Sequence, residues 1–83
     1  MELTKKLKEV VDVLSLHYKL EVLSDEETGS NEREVSVRLD TDVKITVSDI
    51  EAALEVIKGA DFHVVVYKNI VAILVDVHEP HTV

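Results

Sequence analysis

Hydrophobic residues near the start of the chain recur at intervals of three and four positions, as on one face of an amphipathic helix. Charged residues occupy many of the positions between them. The pattern predicts a first helix from about Thr4 to Leu16. The apolar face of this helix consists of Leu3, Leu7, Val10, Val11 and Leu14.

Hydrophobic and polar residues then alternate in three short segments, which is typical of strands with one buried face. The alternation predicts strand 1 at residues 18–22, strand 2 at 34–39 and strand 3 at 43–47. Between the first two strands, residues 24–33 contain no apolar side chain and predict a solvated acidic loop. Asp40-Thr41-Asp42 has the residue types of a turn.

A second helix is predicted from signals at both of its ends. Ser48 and Glu51 have the spacing of a capping box, in which the serine side chain and the glutamate side chain each accept a hydrogen bond from the other residue's backbone amide. Gly59 can adopt the left-handed conformation that ends many helices. The helix is therefore predicted to start at Ser48 and to end just before Gly59.

Two strongly apolar segments complete the predicted fold. Strand 4 covers Asp61–Tyr67 and strand 5 covers Ile70–Val77, with a two-residue turn at Lys68-Asn69 between them. Residues 78–83 are predicted to form a flexible tail. The element order αβββαββ predicts a single α+β domain, residues 1–83, with two helices on a five-stranded mixed sheet in two layers.

Counting the reversals of the chain from one strand to the next gives the predicted strand directions. Strands 2 and 5 should run opposite to strands 1, 3 and 4, so that strand 3, helix 2 and strand 4 form a right-handed crossover. Strand 5 is the most apolar strand and is expected in the interior of the sheet.

The turn at Lys68-Asn69 fixes which residues of strands 4 and 5 share a face. One face is wholly apolar and should contact the helices. The opposite face is also mostly apolar, which indicates that something covers it: a helix, a second copy of the chain or another protein. The residues of this second face are the predicted partner or dimer interface: His63, Val65, Tyr67, Ile70, Ala72 and Leu74.

Composition and charge exclude several classes of function. The chain has no cysteine, so disulfides and thiol chemistry are excluded. Its 9 basic and 17 acidic residues give a net charge of −8, which disfavours direct binding to nucleic acid. The longest apolar runs are too short to span a membrane, and the first residues lack the apolar run of a signal peptide, so a cytoplasmic location is expected.

The acidic segment offers a candidate calcium site. Carboxylate and amide oxygens are ligands that calcium prefers, although the spacing here does not match an EF-hand. A solvated segment that keeps the sheet edge from pairing with other chains is the alternative. The candidate ligands are Asp25, Glu26, Glu27, Asn31 and Glu32.

No motif predicts catalysis. Nucleotide-binding, metalloprotease and serine-nucleophile signatures are all missing, and the four histidines have no spacing typical of a zinc site. We therefore expect a non-enzymatic protein without a cofactor, which binds proteins and forms a homodimer or contacts another protein. An acidic inhibitor of a basic, nucleic-acid-binding target is one version of this hypothesis. The alternative is a calcium-binding or calcium-buffering protein that uses residues 25–32.

Overall fold

The structure is a computed structural model that describes residues 2–29 and 32–77. Within these ranges it describes the side chains of residues 5–26 and 32–77. The predicted tail, residues 78–83, lies outside the described residues. The elements in chain order are α1 (Glu2–His17), β1 (Lys19–Gly29), β2 (Glu32–Asp40), α2 (Val47–Leu54), β3 (Ala60–Tyr67) and β4 (Ile70–Val77).

The four strands form one sheet in the order β1-β2-β4-β3, and every neighbouring pair is antiparallel. The two-layer α+β architecture agrees with the expectation, but the five-stranded mixed sheet is wrong. The most apolar strand, β4, lies in the interior as expected. Its direction differs from the prediction, because β4 runs antiparallel to β2.

The predicted strand 3 at residues 43–47 is irregular chain that leads into α2. Ile45 is buried in the core, whereas Val43 is 72% exposed and Val47 is the first residue of the helix. The alternation of Val43, Ile45 and Val47 therefore provides a single core residue, Ile45, rather than a strand. Without this strand the predicted crossover is also wrong: α2 connects β2 to β3, which run parallel to each other with β4 between them.

The capping residues of α2 differ from those predicted. The Thr46 hydroxyl accepts a hydrogen bond from the Asp49 amide at 3.2 Å, and the Asp49 carboxylate accepts one from the Thr46 amide at 3.1 Å. Thr46 is thus the N-cap and holds an extended conformation, with φ −115° and ψ 160°. The reciprocal bonds start the helix before Ser48, the predicted N-cap.

The predicted acidic loop is wrong over most of its length, because β1 continues to Gly29 and β2 begins at Glu32. β2 is hydrogen-bonded on both sides here, to β1 and to β4. A backbone paired on both sides can remain a strand whatever the polarity of its side chains. An ion pair between Asp25 Oδ1 and Arg33 Nε, at 2.8 Å, also joins β1 to β2.

Both helices pack against the same face of the sheet. Leu7, Val10 and Leu14 of α1, together with Ile50 and Leu54 of α2, belong to one buried cluster with alternate residues of the strands. The strand residues of this core are Val35, Val37, Leu39, Val64, Val71, Ile73 and Val75. The other face of the sheet has no helix on it among the described elements.

The start of α2 can be tested with two matched substitutions. Thr46→Ala removes the observed cap and should lower the free energy of unfolding by about 1 kcal/mol. Ser48→Ala changes only the exposed residue that the sequence pattern favoured as the cap, and should change stability by less than about 0.5 kcal/mol. Urea denaturation followed by circular dichroism measures both. An equal loss in the two variants would contradict the observed cap.

Candidate functional site: the open face of the sheet

The candidate site is the face of the sheet that the helices leave uncovered, here called the open face. Its side chains form four rows that cross the strands. Counted from the Lys68-Asn69 turn, the rows are Glu21–Arg38–Ile70–Tyr67, Ser24–Ser36–Ala72–Val65, Glu26–Glu34–Leu74–His63 and Glu32–Asp76–Asp61.

The predicted pairing between the last two strands is confirmed at every position. Tyr67 lies opposite Ile70, Val65 opposite Ala72, and His63 opposite Leu74. The six predicted interface residues therefore lie together on two neighbouring strands. They are called the apolar patch below.

The apolar patch is accessible to solvent in the single chain. Val65 is 53% exposed and Tyr67 is 66% exposed, while Ile70, Ala72 and Leu74 are partly buried by their neighbours. The possibility that one helix covers this face is wrong, because both helices pack on the other side. Whether a second protein covers the patch stays a prediction.

The end of the open face next to the turn carries the basic side chains. Arg38 Nη1 lies 3.0 Å from Glu21 Oε1, and Lys68 Nζ lies 5.5 Å from the centre of the Tyr67 ring. Lys19 and Asp40 pair one row further out. These five residues, three basic and two acidic, are called the basic end.

Hydrogen bonds to β2 hold the turn in place. The Leu39 amide donates to the Asn69 carbonyl at 2.8 Å, and the Asn69 side-chain amide donates to the Leu39 carbonyl at 3.1 Å. Lys68 has a positive φ of 55°, a conformation that is uncommon outside glycine and asparagine. The anchored turn therefore fixes Lys68 at the edge of the open face.

The opposite end of the open face carries only acidic charge among the described side chains. Glu32, Asp76 and Asp61 form the fourth row, so Asp76 has an acidic residue directly opposite it on each neighbouring strand. Glu26 and Glu34 pair in the third row. These five residues are called the acidic end, and like charges in adjacent positions of a sheet are mutually destabilising.

The candidate calcium ligands are not brought together. Asp25 lies on the helix side of the sheet in its ion pair with Arg33, whereas Glu26 and Glu32 lie on the open face. Asn31 and the side chain of Glu27 lie outside the described part of the structure. No group of three His, Asp or Glu side chains suited to a metal ion occurs among those described.

The histidines are also dispersed. His17 ends α1, with its ring centre 6.3 Å from that of Tyr18, and His63 lies in the apolar patch. His78 and His81 lie outside the described residues. No described helix is long and apolar enough to cross a membrane.

Two features of the site were missed by the sequence reasoning. The Lys68-Asn69 turn that sets the register of the apolar patch also places Asp61 opposite Asp76. Extending the predicted register by one row gives this pair. The addition of Glu32 to this row depends on the pairing of β2 with β4. β2 and β4 are distant in the chain, and the alternation of polar and apolar residues within a strand does not indicate which strands lie beside it.

No protein-family model, curated protein or solved structure was found to match the chain significantly.

The dispersed positions of the acidic side chains predict the result of a calcium titration. Because Asp25 and Glu26 point to opposite faces, millimolar calcium should produce no saturable shift of the amide resonances of residues 25–29 and 32 in NMR spectra. Magnesium at the same concentration controls for ionic strength. A saturable shift confined to these residues and specific to calcium would restore the calcium hypothesis.

Proposed function

We propose that this protein is a non-enzymatic protein-binding domain that acts as a homodimer joined through the open face. The observation that carries the proposal is the position of both helices on one side of the sheet. This arrangement leaves the apolar patch without cover from the described part of the chain.

The apolar patch favours burial. Each large side chain such as Val65, Ile70 or Leu74 gains about 1.5–3 kcal/mol when it moves from full exposure to full burial. The same face is polar on β2, at Ser36 and Arg38. Apolar residues are thus concentrated on two neighbouring strands, as in an interaction surface.

The size of the open face fits a weak dimer. Four strands about 4.8 Å apart and four rows about 6.7 Å apart cover about 500 Å². Two such faces would bury about 1,000 Å² in total, which is near the lower limit for a specific interface. A second copy is the favoured occupant, because a two-fold axis lets one surface complete itself.

The acidic-inhibitor version of the hypothesis stays a prediction. The acidic residues of the 24–33 segment belong to the paired strands β1 and β2 rather than to a solvated loop, so a basic target would meet them as part of the sheet. No group of side chains in the described part of the chain favours the calcium alternative.

Two substitutions in the apolar patch test the dimer. Val65→Glu and Leu74→Lys place a charge in the proposed interface and should each convert a dimer into a folded monomer. Light scattering measures the mass, and circular dichroism confirms the fold. Val65 is more than half exposed, so Val65→Glu should leave the core intact even if Leu74→Lys unfolds the chain.

The helices provide matched controls. Val56, on the chain just after α2, is 70% exposed, and Leu16 of α1 is 82% exposed. Val56→Glu and Leu16→Lys make the same chemical changes away from the open face and should leave the dimer unchanged. A wild-type protein that remains monomeric at several hundred micromolar would overturn the proposal, and so would a dimer that survives Val65→Glu.

A further inference from the structure

We infer that the two copies stack open face to open face with their strands antiparallel across the interface, so that the basic end of each copy lies over the acidic end of the other. This inference rests on the proposed homodimer and adds its geometry. The basic end and the acidic end lie at opposite limits of the same four rows.

Symmetry limits the possible arrangements. Two identical faces can be packed against each other by a two-fold axis that lies in the plane between them. In the aligned class of sheet packing, which we consider for this dimer, two stacked sheets keep their strands within about 30° of each other. An axis along the strands would place like ends together, whereas an axis across the strands places each end over the opposite end of the other copy.

Charge favours the axis across the strands. The acidic end has five acidic side chains, one of which, Asp61, already has an interaction partner, and no Lys or Arg among the described residues of the open face. The basic end has three basic and two acidic side chains. Matching like ends would bring the two acidic groups together. Matching opposite ends sets Arg38 and Lys68 of each copy over Glu32 and Asp76 in the fourth row of the other, and opposite charges across an interface fix its register.

The shape of the face agrees with an axis between the second and third rows. This axis places the second row of one copy over the third row of the other. On β2 and β4 the second row contains the small residues Ser36 and Ala72, and the third row contains the larger Glu34 and Leu74, so Glu34 of each copy would lie over Ser36 of the other. Leu74 of each copy would then pack into the shallow region above Ala72 of the other, as interface side chains interdigitate between packed sheets.

A distance measurement tests the orientation. The chain has no cysteine, so Asp40→Cys gives one spin-label site per copy, at the basic end of β2. Asp40 lies about five residues, or about 17 Å, from the proposed axis. The two labels should therefore be about 30–35 Å apart in the antiparallel stack, against about 15 Å if like ends meet. Because Asp40 belongs to the basic end, sedimentation equilibrium first confirms that the labelled protein dimerises as the wild type does, and double electron–electron resonance then measures the distance.

A charge reversal tests the cause of the orientation. Each dimer contains two copies of Lys68, so Lys68→Glu places one additional carboxylate over each of the two acidic ends. The substitution should raise the dissociation constant about tenfold. Lys8→Glu, an exposed position on α1, makes the same change in net charge on the helix side of the sheet and serves as the control. Sedimentation equilibrium measures both constants, and thermal unfolding confirms that both variants fold.

The outcomes separate this inference from the function on which it rests. A dimer that is abolished by Val65→Glu but shows labels about 15 Å apart would keep the homodimer and overturn the antiparallel stack. Equal dissociation constants for Lys68→Glu and Lys8→Glu would overturn the charge pairing. A wild-type monomer would overturn the homodimer and this inference together.

Discussion

The packing of both helices against one face of the sheet is the constraint on which the rest of the architecture depends. α2 begins only a few residues after β2 ends, with its first turn capped by Thr46 and Asp49, so residues 41–46 provide one core side chain, Ile45, and no strand. Four strands remain, and α2 connects β2 to β3 across β4. The helix lies beside α1 on the same face of the sheet, and the opposite face is left open.

Local signals in the sequence predicted the local parts of the fold. The bounds of α1 were predicted to within two residues, and the register of the last two strands was predicted fully, because a two-residue turn determines every pair. Both ends of α2 were predicted too late: the cap is Thr46 rather than Ser48, and the helix ends at Leu54 rather than just before Gly59. With Thr46 as the cap, Ile45 and Ile50 both pack in the core, and the spacing of capping residues along the chain does not predict this packing.

The remaining errors concern contacts between distant parts of the chain. The acidic segment was predicted to be a loop from its polarity, but β4 pairs with β2 as far as Glu32 and supports its backbone there. The candidate site was predicted only in part, because some of its contacts also join strands that are distant in the chain. The apolar patch lies within one hairpin and was found, whereas Glu32 joins Asp76 and Asp61 only through the pairing of β2 with β4 and was not.

The β1 edge of the sheet supports a proposed dimer formed by stacked faces rather than by strand pairing at that edge. An unpaired edge strand can add further chains without limit, and proteins oppose this with charges and bulges. The β1 edge carries Glu21, Asp25 and Glu26, and its pairing is irregular between Val22 and Ser24. Addition of another strand there is opposed, whereas two faces related by a two-fold axis close on themselves. In the proposed dimer the same closed contact would cover the exposed apolar patch and bring basic side chains to the acidic end, so both features of the single chain support the same arrangement.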